Sequence, residues 1–366
     1  MNIAITGYYC TGSSAVTDLL KEYKNVNLAS PVDGDYEHML FYSPGGLFDL
    51  ASILLGPYSS AYTSDMAINA FIDSVKRLND NDFGWFGSYE KYFGDQLIKI
   101  ADDFVKAISW QKQKISASHI KTVRFSIFKA LLQIAARVVY KRPINKLGRK
   151  YVYDNHLGFI AMPTNDEFCN AARKYTGEYL KMCGKENMIN IFDHVLWPHQ
   201  CQNMGDLFPQ DFKAIVVERD PRDVYLLNKY YWHKPPVSVS KPYFPIDIKG
   251  FCYEWKRTIA RNITNPNVLI IKFEDLIYNY DKTLEAIEAF IGVQPSNHIR
   301  IKEEFNPDNS IENTQVFNID ESWKKEIGLI EKELSEFLYV FPYNRVPDRK
   351  LWFDTPGTTN VKIKSK

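Results

Sequence analysis

Paired cysteines are missing from this sequence. Its cysteines are odd in number and widely spaced, with no Cys-x-x-Cys pair, and they are Cys10, Cys169, Cys183, Cys201 and Cys252. Such spacing supports neither a framework of disulfide bonds nor a zinc site. We therefore expect a protein of a reducing compartment that uses no metal.

A strong net charge and a long apolar run are missing too. The formal net charge is +1 at pH 7, whereas a nucleic-acid-binding domain carries a strongly basic surface, so no nucleic acid is expected as partner. No uncharged apolar run reaches the roughly 18 residues that span a bilayer. The strand-like residues 3–6 leave no room for a signal peptide. These absences predict a cytoplasmic protein, with peripheral membrane contact left open.

What is present is an alternation of strands and helices. The pattern predicts strands at residues 3–6, 26–29, 188–192, 214–218 and 268–273, and helices at 13–23, 202–207, 222–232, 248–261 and 281–291. This order predicts an α/β fold of the P-loop type, with three layers (α/β/α) and a central, mainly parallel sheet. We expect one domain over residues 1–345, with a large helical insertion at about 47–180 and a tail at 346–366.

A glycine-bounded loop follows the first predicted strand. The segment Gly7-Tyr8-Tyr9-Cys10-Thr11-Gly12-Ser13-Ser14 has the glycine spacing of a Walker A loop, between a strand and a helix. Backbone N–H groups of such a loop and of the helix N-terminus form a cradle for anions. The residues predicted to bind phosphate are Tyr9, Cys10, Thr11, Gly12, Ser13 and Ser14.

One residue separates this loop from those that bind ATP or GTP. A Walker A loop places Lys directly after its second glycine, where it reaches the β and γ phosphates. Here that position is Ser13. A kinase-like nucleotide-dependent enzyme is therefore the alternative rather than the first hypothesis.

A second motif combines with this loop. An apolar strand ends in Glu218-Arg219-Asp220-Pro221-Arg222-Asp223. The pair of motifs resembles the PAPS-dependent sulfotransferases (PAPS is 3′-phosphoadenosine 5′-phosphosulfate), whose strand ends in Arg-(Asp/Asn)-Pro-Arg-Asp. The resemblance implies that Arg219 binds the 3′-phosphate of the donor, and a guanidinium fork suits a phosphate dianion. Arg222 is expected to form a structural salt bridge.

Two later segments extend the resemblance. Lys272-Phe273-Glu274-Asp275-Leu276 resembles the (Tyr/Phe)-Glu-Asp-Leu turn of the family, with Glu274 and Asp275 in structural roles. Residues 305–314 resemble the family's Ser-x-x-Asn segment near the nucleotide, which implies donor contacts from Ser310 and Asn313. The matched pieces run from residue 3 to about 314, and residues 45–173 match only loosely.

The sequence also departs from the family. Many relatives carry Arg or Lys at the position of Cys10, where the cation stabilises the sulfuryl group during transfer. In this chain another cation, or backbone donors alone, must stabilise that group. A family Ser eight positions after the phosphate-binding Arg is Leu227, and the neighbouring Asn228 is predicted to supply that hydrogen bond. The C-terminal Arg-Lys-Gly motif of animal cytosolic members is absent, which points away from the small-phenol and steroid branch.

Sulfuryl transfer to a hydroxyl requires a base, and the sequence offers two candidates. Glu37 resembles the Glu that follows the second strand of carbohydrate sulfotransferases in a Glu-x-x-Phe-Phe pattern, and we favour it. This match implies the bacterial carbohydrate or polysaccharide branch. The rival is His194, which follows a strand at the carboxyl edge where such folds bind ligands. His38 and Asp193 are weaker candidates.

The chain contains one strongly basic stretch. Between Phe104 and Tyr153 lie twelve Lys or Arg and no Asp or Glu, and we call these residues the basic segment. It is interpreted either as a solvated helix face or as a surface for an anionic acceptor or a layer of lipid headgroups. Its apolar residues are expected in the core, among them Phe125, Phe128, Leu131, Leu132 and Val138.

The first hypothesis is therefore an enzyme that sulfates a hydroxyl of a carbohydrate or similar polar acceptor, with PAPS as co-substrate and no metal. A catalytically inactive nucleotide-binding protein of the same fold is a third hypothesis, which the uncharged Cys10 keeps open. A lipid-linked acceptor also stays open.

Overall fold

The structure is a computed structural model that describes residues 1–31, 36–115, 156–231, 245–259 and 262–348, with residue 350 and a few residues between 127 and 139. The chain forms two compact units. The first comprises Met1–His38, Cys183–Gly205 and Gln210–Lys366, and the second comprises Met39–Met182 and Asp206–Pro209.

The described strands and helices are as follows. In chain order the strands are β1 (Asn2–Gly7), β2 (Val26–Leu28), β3 (Gln111–Ile115), β4 (His156–Ile160), β5 (Ile189–Asp193), β6 (Lys213–Glu218) and β7 (Val268–Lys272). The helices are α1 (Ser13–Lys21), α2 (Leu47–Leu54), α3 (Ala61–Asp80), α4 (Tyr89–Phe93), α5 (Gln96–Ile108), α6 (Asn165–Cys183), α7 (Met204–Leu207), α8 (Pro221–Leu226), α9 (Ile248–Glu254), α10 (Asp275–Tyr278), α11 (Tyr280–Ile291), α12 (Pro307–Ser310) and α13 (Lys324–Glu333). Helices α8 and α9 continue as π-helices, Leu227–Tyr231 and Trp255–Ile259.

A five-stranded parallel sheet organises the first unit, in the order β2-β5-β1-β6-β7. From β1 the chain continues through α1 to β2 on one side, whereas from β6 it continues to β7 on the other. The strand order therefore reverses between β1 and β6. In open α/β sheets, ligands bind beyond the carboxyl ends of the strands at such a point.

Helices cover both faces of this sheet. On one face, α1 and α11 bury Val16, Leu19 and Ile287 against strand residues such as Ile5. Successive side chains of a strand point to opposite faces of the sheet. On the other face, Val216 of β6 lies beside Trp255, in the π-helix that continues α9. The predicted α/β fold with a central parallel sheet between helices is confirmed.

The second unit contains α2 to α6 and a pair of strands. Its core is aromatic, with Tyr175 of α6 stacked on Phe104 of α5 at 5.1 Å and edge-on to Phe71 of α3 at 5.7 Å. The sequence predicts a large helical insertion at about 47–180, and α2 to α6 lie in or near this range, but residues 111–115 are not helical. They form β3, which pairs antiparallel with β4. The pairing partner lies far along the chain, so no local pattern reveals it.

The apolar residues of the basic segment do not all lie in a core. The side chains of Leu131 and Val138 are 59% and 76% exposed, so the core position expected for them is wrong. The core of the second unit instead contains aromatic side chains of α3, α5 and α6 that pack against one another. Phe125, Phe128 and Leu132 lie outside the described residues.

Within the described ranges, no helix combines the length and apolar character needed to cross a membrane. The same ranges contain no cluster of three or more His, Cys, Asp or Glu side chains that could hold a metal ion.

Candidate functional site

The loops that follow β1, β5, β6 and β7 meet at the carboxyl edge of the sheet. They contain, respectively, the glycine-bounded loop, His194, Arg219 and the Phe273-Glu274 turn. Hydrogen bonds and ring contacts join them, as described below. This edge of the first unit is the candidate site.

Close packing shapes the loop after β1. Thr11 donates from both its backbone N–H and its hydroxyl to the carbonyl oxygen of Tyr8, at 3.0 and 2.7 Å, and so closes a tight turn. Gly12 has φ of 84°, and a Cβ there would approach the ring of Phe273 to 2.7 Å. Only glycine fits, because the left-handed backbone and the ring both exclude a side chain. Cys10 also has a positive φ, 68°.

The first turn of α1 supplies potential donors to an anion. Gly12 is its N-cap, and among the described residues no side chain caps this end of the helix. The N-terminal N–H groups of a helix and its dipole favour negative charge. Ser14 is exposed and Ser13 is buried at this turn. Tyr9 packs its ring edge-on against Trp197 at 5.1 Å.

His194 lies beside this turn and is held in one orientation. Its backbone N–H donates to the carbonyl oxygen of Ile5 at 2.9 Å, at a φ of 49° that non-glycine residues seldom adopt. Its Nδ1 lies 2.8 Å from the Asp193 carboxylate, and its Nε2 lies 3.4 Å from the hydroxyl of Ser13. The structure thus brings together two residues, His194 and Ser13, that are far apart in sequence.

The surroundings of His194 favour its charged form. Burial alone would lower the pKa of His194, but the charge and hydrogen bond of Asp193, with the charge of Glu37 and the backbone of Gly7, outweigh it. Together they raise the pKa of His194 to about 9. The ring is therefore an imidazolium at neutral pH, with both nitrogens protonated. It can donate hydrogen bonds but cannot accept a proton.

Glu37 and His38 follow residues 32–35, which lie outside the described ranges. The backbone N–H of His38 donates to the carbonyl oxygen of Asp193 at 2.9 Å, so this segment runs beside the end of β5. Glu37 is partly buried there, near His194. His38 is 1% exposed, and burial lowers its pKa to about 4 although it bonds to the Ala29 carbonyl. His38 is thus a neutral, buried residue.

Arg219 joins the first loop to a late segment of the chain. Its Nη1 donates to the carbonyl oxygen of Cys10 at 2.9 Å, and its Nη2 donates to that of Asn313. The guanidinium lies 4.8 Å from the centre of the Phe273 ring, a cation–π contact. Its Nε is buried and has no hydrogen-bond partner among the described residues.

The other charged residues of this strand end hold the C-terminal part of the first unit. Arg222 forms an ion pair with Asp220 at 2.7 Å, which confirms its predicted structural role. Asp223 accepts N–H bonds from Gln315 and Phe317. Glu274 accepts the N–H of Asp220 at 2.8 Å, as expected of a structural carboxylate.

Burial raises the pKa values of two of these carboxyl groups. Burial raises the pKa of Glu274 to about 8, and the charge of Asp220 adds to the effect. Burial likewise raises the pKa of Asp223 to about 7, against the opposing charge of Arg219. Both are fully buried, so they serve the architecture of the site rather than contact with a ligand.

The three remaining residues that were predicted to contact the sulfuryl donor differ in burial and in their contacts. Asn313 takes part through its backbone carbonyl, which Arg219 binds. Ser310 ends α12 and is partly buried. Asn228 is fully buried in the π-helix that continues α8. Among these three residues, Asn313 contacts Arg219 directly.

A cavity of about 310 Å³ adjoins Arg219. Its walls combine aromatic, cationic and acidic groups, and the lining residues are Glu218, Arg219, Trp255, Ile259, Asn262, Lys272, Glu336 and Phe337. Burial raises the pKa of Glu218, and the charge of Lys272 partly offsets this. The sequence patterns did not identify Trp255 or Phe273 as site residues, because nothing local distinguishes them from core aromatics.

The chain has low similarity to two solved sulfotransferase domains. No protein-family model matches the sequence, and no curated protein matches it. Among solved structures, the chain is similar to the sulfotransferase domain of the Synechococcus PCC 7002 olefin synthase, at 13% identity and a TM-score of 0.33, over 94% of this chain and 88% of that one. It is also similar to a sulfotransferase domain of the curacin biosynthetic pathway, at 13% identity and a TM-score of 0.30, over 94% and 92% of the two chains. Similarity this low carries no argument about function.

Proposed function

We propose that this protein transfers a sulfuryl group from PAPS to a hydroxyl of a carbohydrate or similar polar acceptor. One observation carries the proposal: Ser13 on the first turn of α1 meets His194, while Arg219 binds the carbonyl of Cys10 in the same loop. An anion-binding loop, an imidazolium and a guanidinium thus share one switch point of the sheet. Groups of this kind stabilise the charge that develops during transfer from an anionic donor.

The donor's two anionic ends have separate candidate partners. The phosphosulfate suits the N-terminus of α1 with the hydroxyls of Thr11, Ser13 and Ser14, and it needs less charge neutralisation than a triphosphate. The 3′-phosphate suits Arg219, because a bidentate pair between guanidinium and phosphate adds both energy and geometric specificity. In this view the phosphate replaces one of the carbonyls that Arg219 now binds.

The reaction is an in-line displacement at sulfur. The acceptor oxygen forms a bond to sulfur as the bond from sulfur to the phosphate oxygen breaks, and adenosine 3′,5′-bisphosphate leaves. Glu37 takes the proton of the acceptor hydroxyl. We assign this step to Glu37 because the raised pKa of His194 leaves that ring without a free nitrogen at neutral pH. The position of Glu37 after β2 also supports the carbohydrate branch.

His194 has the complementary role. Its imidazolium, oriented by Asp193, donates to the sulfuryl oxygens as charge moves between the acceptor and the leaving group. It thereby replaces the Arg or Lys that many relatives carry at the position of Cys10. The 3.4 Å distance between its Nε2 and the Ser13 hydroxyl supports this role, since Ser13 belongs to the loop that cradles the anion.

The dependence of Tm on added nucleotide tests the identity of the donor. Adenosine 3′,5′-bisphosphate should raise Tm, and a ligand at 100 times its Kd stabilises the folded state by about 2.7 kcal/mol. ATP with magnesium should raise Tm far less, and stronger protection by ATP would indicate a kinase instead. Labelled PAPS with a panel of hydroxyl acceptors then tests transfer. Donor binding without transfer to any acceptor would indicate an inactive nucleotide-binding protein.

A further inference from the structure

The second unit exposes a row of large apolar side chains. Ile127, Leu131, Ile134, Val138 and Val139 are helical, and between 56% and 76% of each side chain is exposed. Residues 127, 131, 134 and 138 follow the i, i+4, i+7, i+11 spacing that puts side chains on one face of a helix. We call these five residues the apolar stripe. Scattered exposed apolar residues are ordinary, but a contiguous row marks an interaction surface.

The stripe lies within the basic segment. Twelve of the chain's 45 Lys and Arg occur between Phe104 and Tyr153, with none of its 44 Asp and Glu, so the rest of the chain has an excess of acid. Lys121, Arg124 and Lys129 surround the start of the stripe in sequence, and Arg137, Lys141 and Arg142 surround its end. The stripe's partner must therefore offer negative charge together with an apolar environment.

An anionic membrane surface offers both. A soluble polyanion such as a charged polysaccharide satisfies the basic residues but leaves the apolar side chains in water. Helices with a basic side and an exposed apolar face lie in the bilayer interface, where the apolar face enters the boundary of the acyl chains and the cations meet acidic headgroups. We propose that the apolar stripe and the basic segment bind this protein to the surface of anionic membranes.

The proposal is independent of the proposed reaction. Binding requires only the exposed stripe and the local charge, neither of which belongs to the candidate site. If the reaction is confirmed, membrane binding would bring the enzyme to lipid-linked acceptors. If the reaction fails, binding to vesicles is still expected.

Co-sedimentation of the full chain with vesicles tests the proposal. The protein should bind vesicles that contain phosphatidylglycerol in phosphatidylcholine, should bind pure phosphatidylcholine much less, and should lose affinity as salt rises. Each basic residue near an anionic surface contributes about fivefold in affinity. The double charge reversal Lys141→Glu with Arg142→Glu should therefore weaken binding by about 25-fold or more. Lys324→Glu with Lys325→Glu, an exposed basic pair outside the segment, is the matched control and should leave binding unchanged.

A second pair of variants tests the apolar contribution. Leu131→Asp with Val138→Asp should abolish vesicle binding, whereas Val340→Asp, at a side chain that is 89% exposed outside the stripe, should not. Tm and circular dichroism establish that each variant is folded. The proposal is overturned if phosphatidylglycerol does not increase the vesicle binding of the wild-type protein. It is also overturned if the stripe variant binds vesicles as well as wild type does. So does a wild-type dimer that the stripe variant converts to a monomer without any loss of vesicle binding, because a second copy of the chain then covers the stripe.

Discussion

Replacing His194 by asparagine separates the two chemical roles that this residue could have. The variant removes the imidazolium but keeps a side chain able to hydrogen-bond, beside a Ser13 hydroxyl that now lies 3.4 Å from Nε2. Loss of one preorganised donor to developing negative charge costs about 10²–10³ in kcat. We therefore expect PAPS-dependent turnover to fall by that factor, with a smaller change in donor affinity.

The pH profile decides whether the lost group was a cation or a base. With a pKa of about 9, His194 is charged below that pH and neutral above it. A cation that stabilises the sulfuryl group predicts turnover that stays high up to about pH 9 and falls above it. A base at the same position predicts the opposite slope, with turnover rising as the ring loses its proton. The same titration is measured directly from the ring resonances by NMR.

Asp193 provides a control on this assignment. Its carboxylate lies 2.8 Å from Nδ1 of His194 and is the main group that raises the pKa of the ring. A carboxylate at this distance typically shifts a neighbouring pKa by about 1–3 units. Asp193→Asn should therefore move the alkaline fall in turnover towards neutral pH. An unchanged alkaline limb would show that some other group titrates there.

A rescue variant completes the test. Cys10→Lys places a cation in the loop where many relatives carry one, and in the His194→Asn background it should restore part of the lost turnover. Cys10→Met, similar in length but uncharged, should restore none. If the lysine fails to rescue and wild-type turnover rises with pH through the titration of His194, then His194 is the base. The proposed roles of His194 and Glu37 are then reversed.

Two further predictions concern Glu37 and Arg219. Glu37→Gln keeps the shape of the side chain but cannot take a proton, so turnover should fall by about 10²–10⁴ with donor affinity nearly intact; full activity in this variant would exclude Glu37 as the base. Arg219→Ala should weaken binding of adenosine 3′,5′-bisphosphate, measured by calorimetry, by about 1.5–3 kcal/mol, the range for a hydrogen bond to a charged group. It should also lower Tm, because the guanidinium bonds to the carbonyls of Cys10 and Asn313. A lowered Tm with unchanged ligand affinity would make Arg219 purely structural.

The parts of the fold that the sequence predicted are those with a local signal. The apolar run of β1, the glycine spacing of the loop and the apolar periodicity of α1 lie within the first two dozen residues, and each appears where it was expected. The pair β3 and β4 was missed because Lys112 and Lys114 resemble a polar helix face until their partner strand is known.

The site was predictable only as separate pieces. Glycine spacing predicts the loop, and the charged strand end predicts a role for Arg219, but neither pattern indicates that His194 meets Ser13. That contact exists because β5 and β1 are neighbours in the sheet although many elements separate them in the chain. The raised pKa of His194 has a local and a distant cause: Asp193, its neighbour in sequence, contributes most, whereas Glu37 and the backbone of Gly7 reach the ring from the ends of other strands. The distant contribution has no signal in the local sequence.

The contacts of the site also link its assembly to the late part of the chain. Arg219 binds the carbonyl oxygens of Cys10 in the first loop and of Asn313, which follows α12. Gln315, two residues after Asn313, donates its N–H to Asp223, and Tyr339 donates its N–H to Asp220. The loop that would hold the donor is thus braced by segments that lie far from it in the sequence. Because buried hydrogen bonds to charged groups are expensive to leave unmade, the geometry of the loop depends on the packing of these distant segments beside the end of β6.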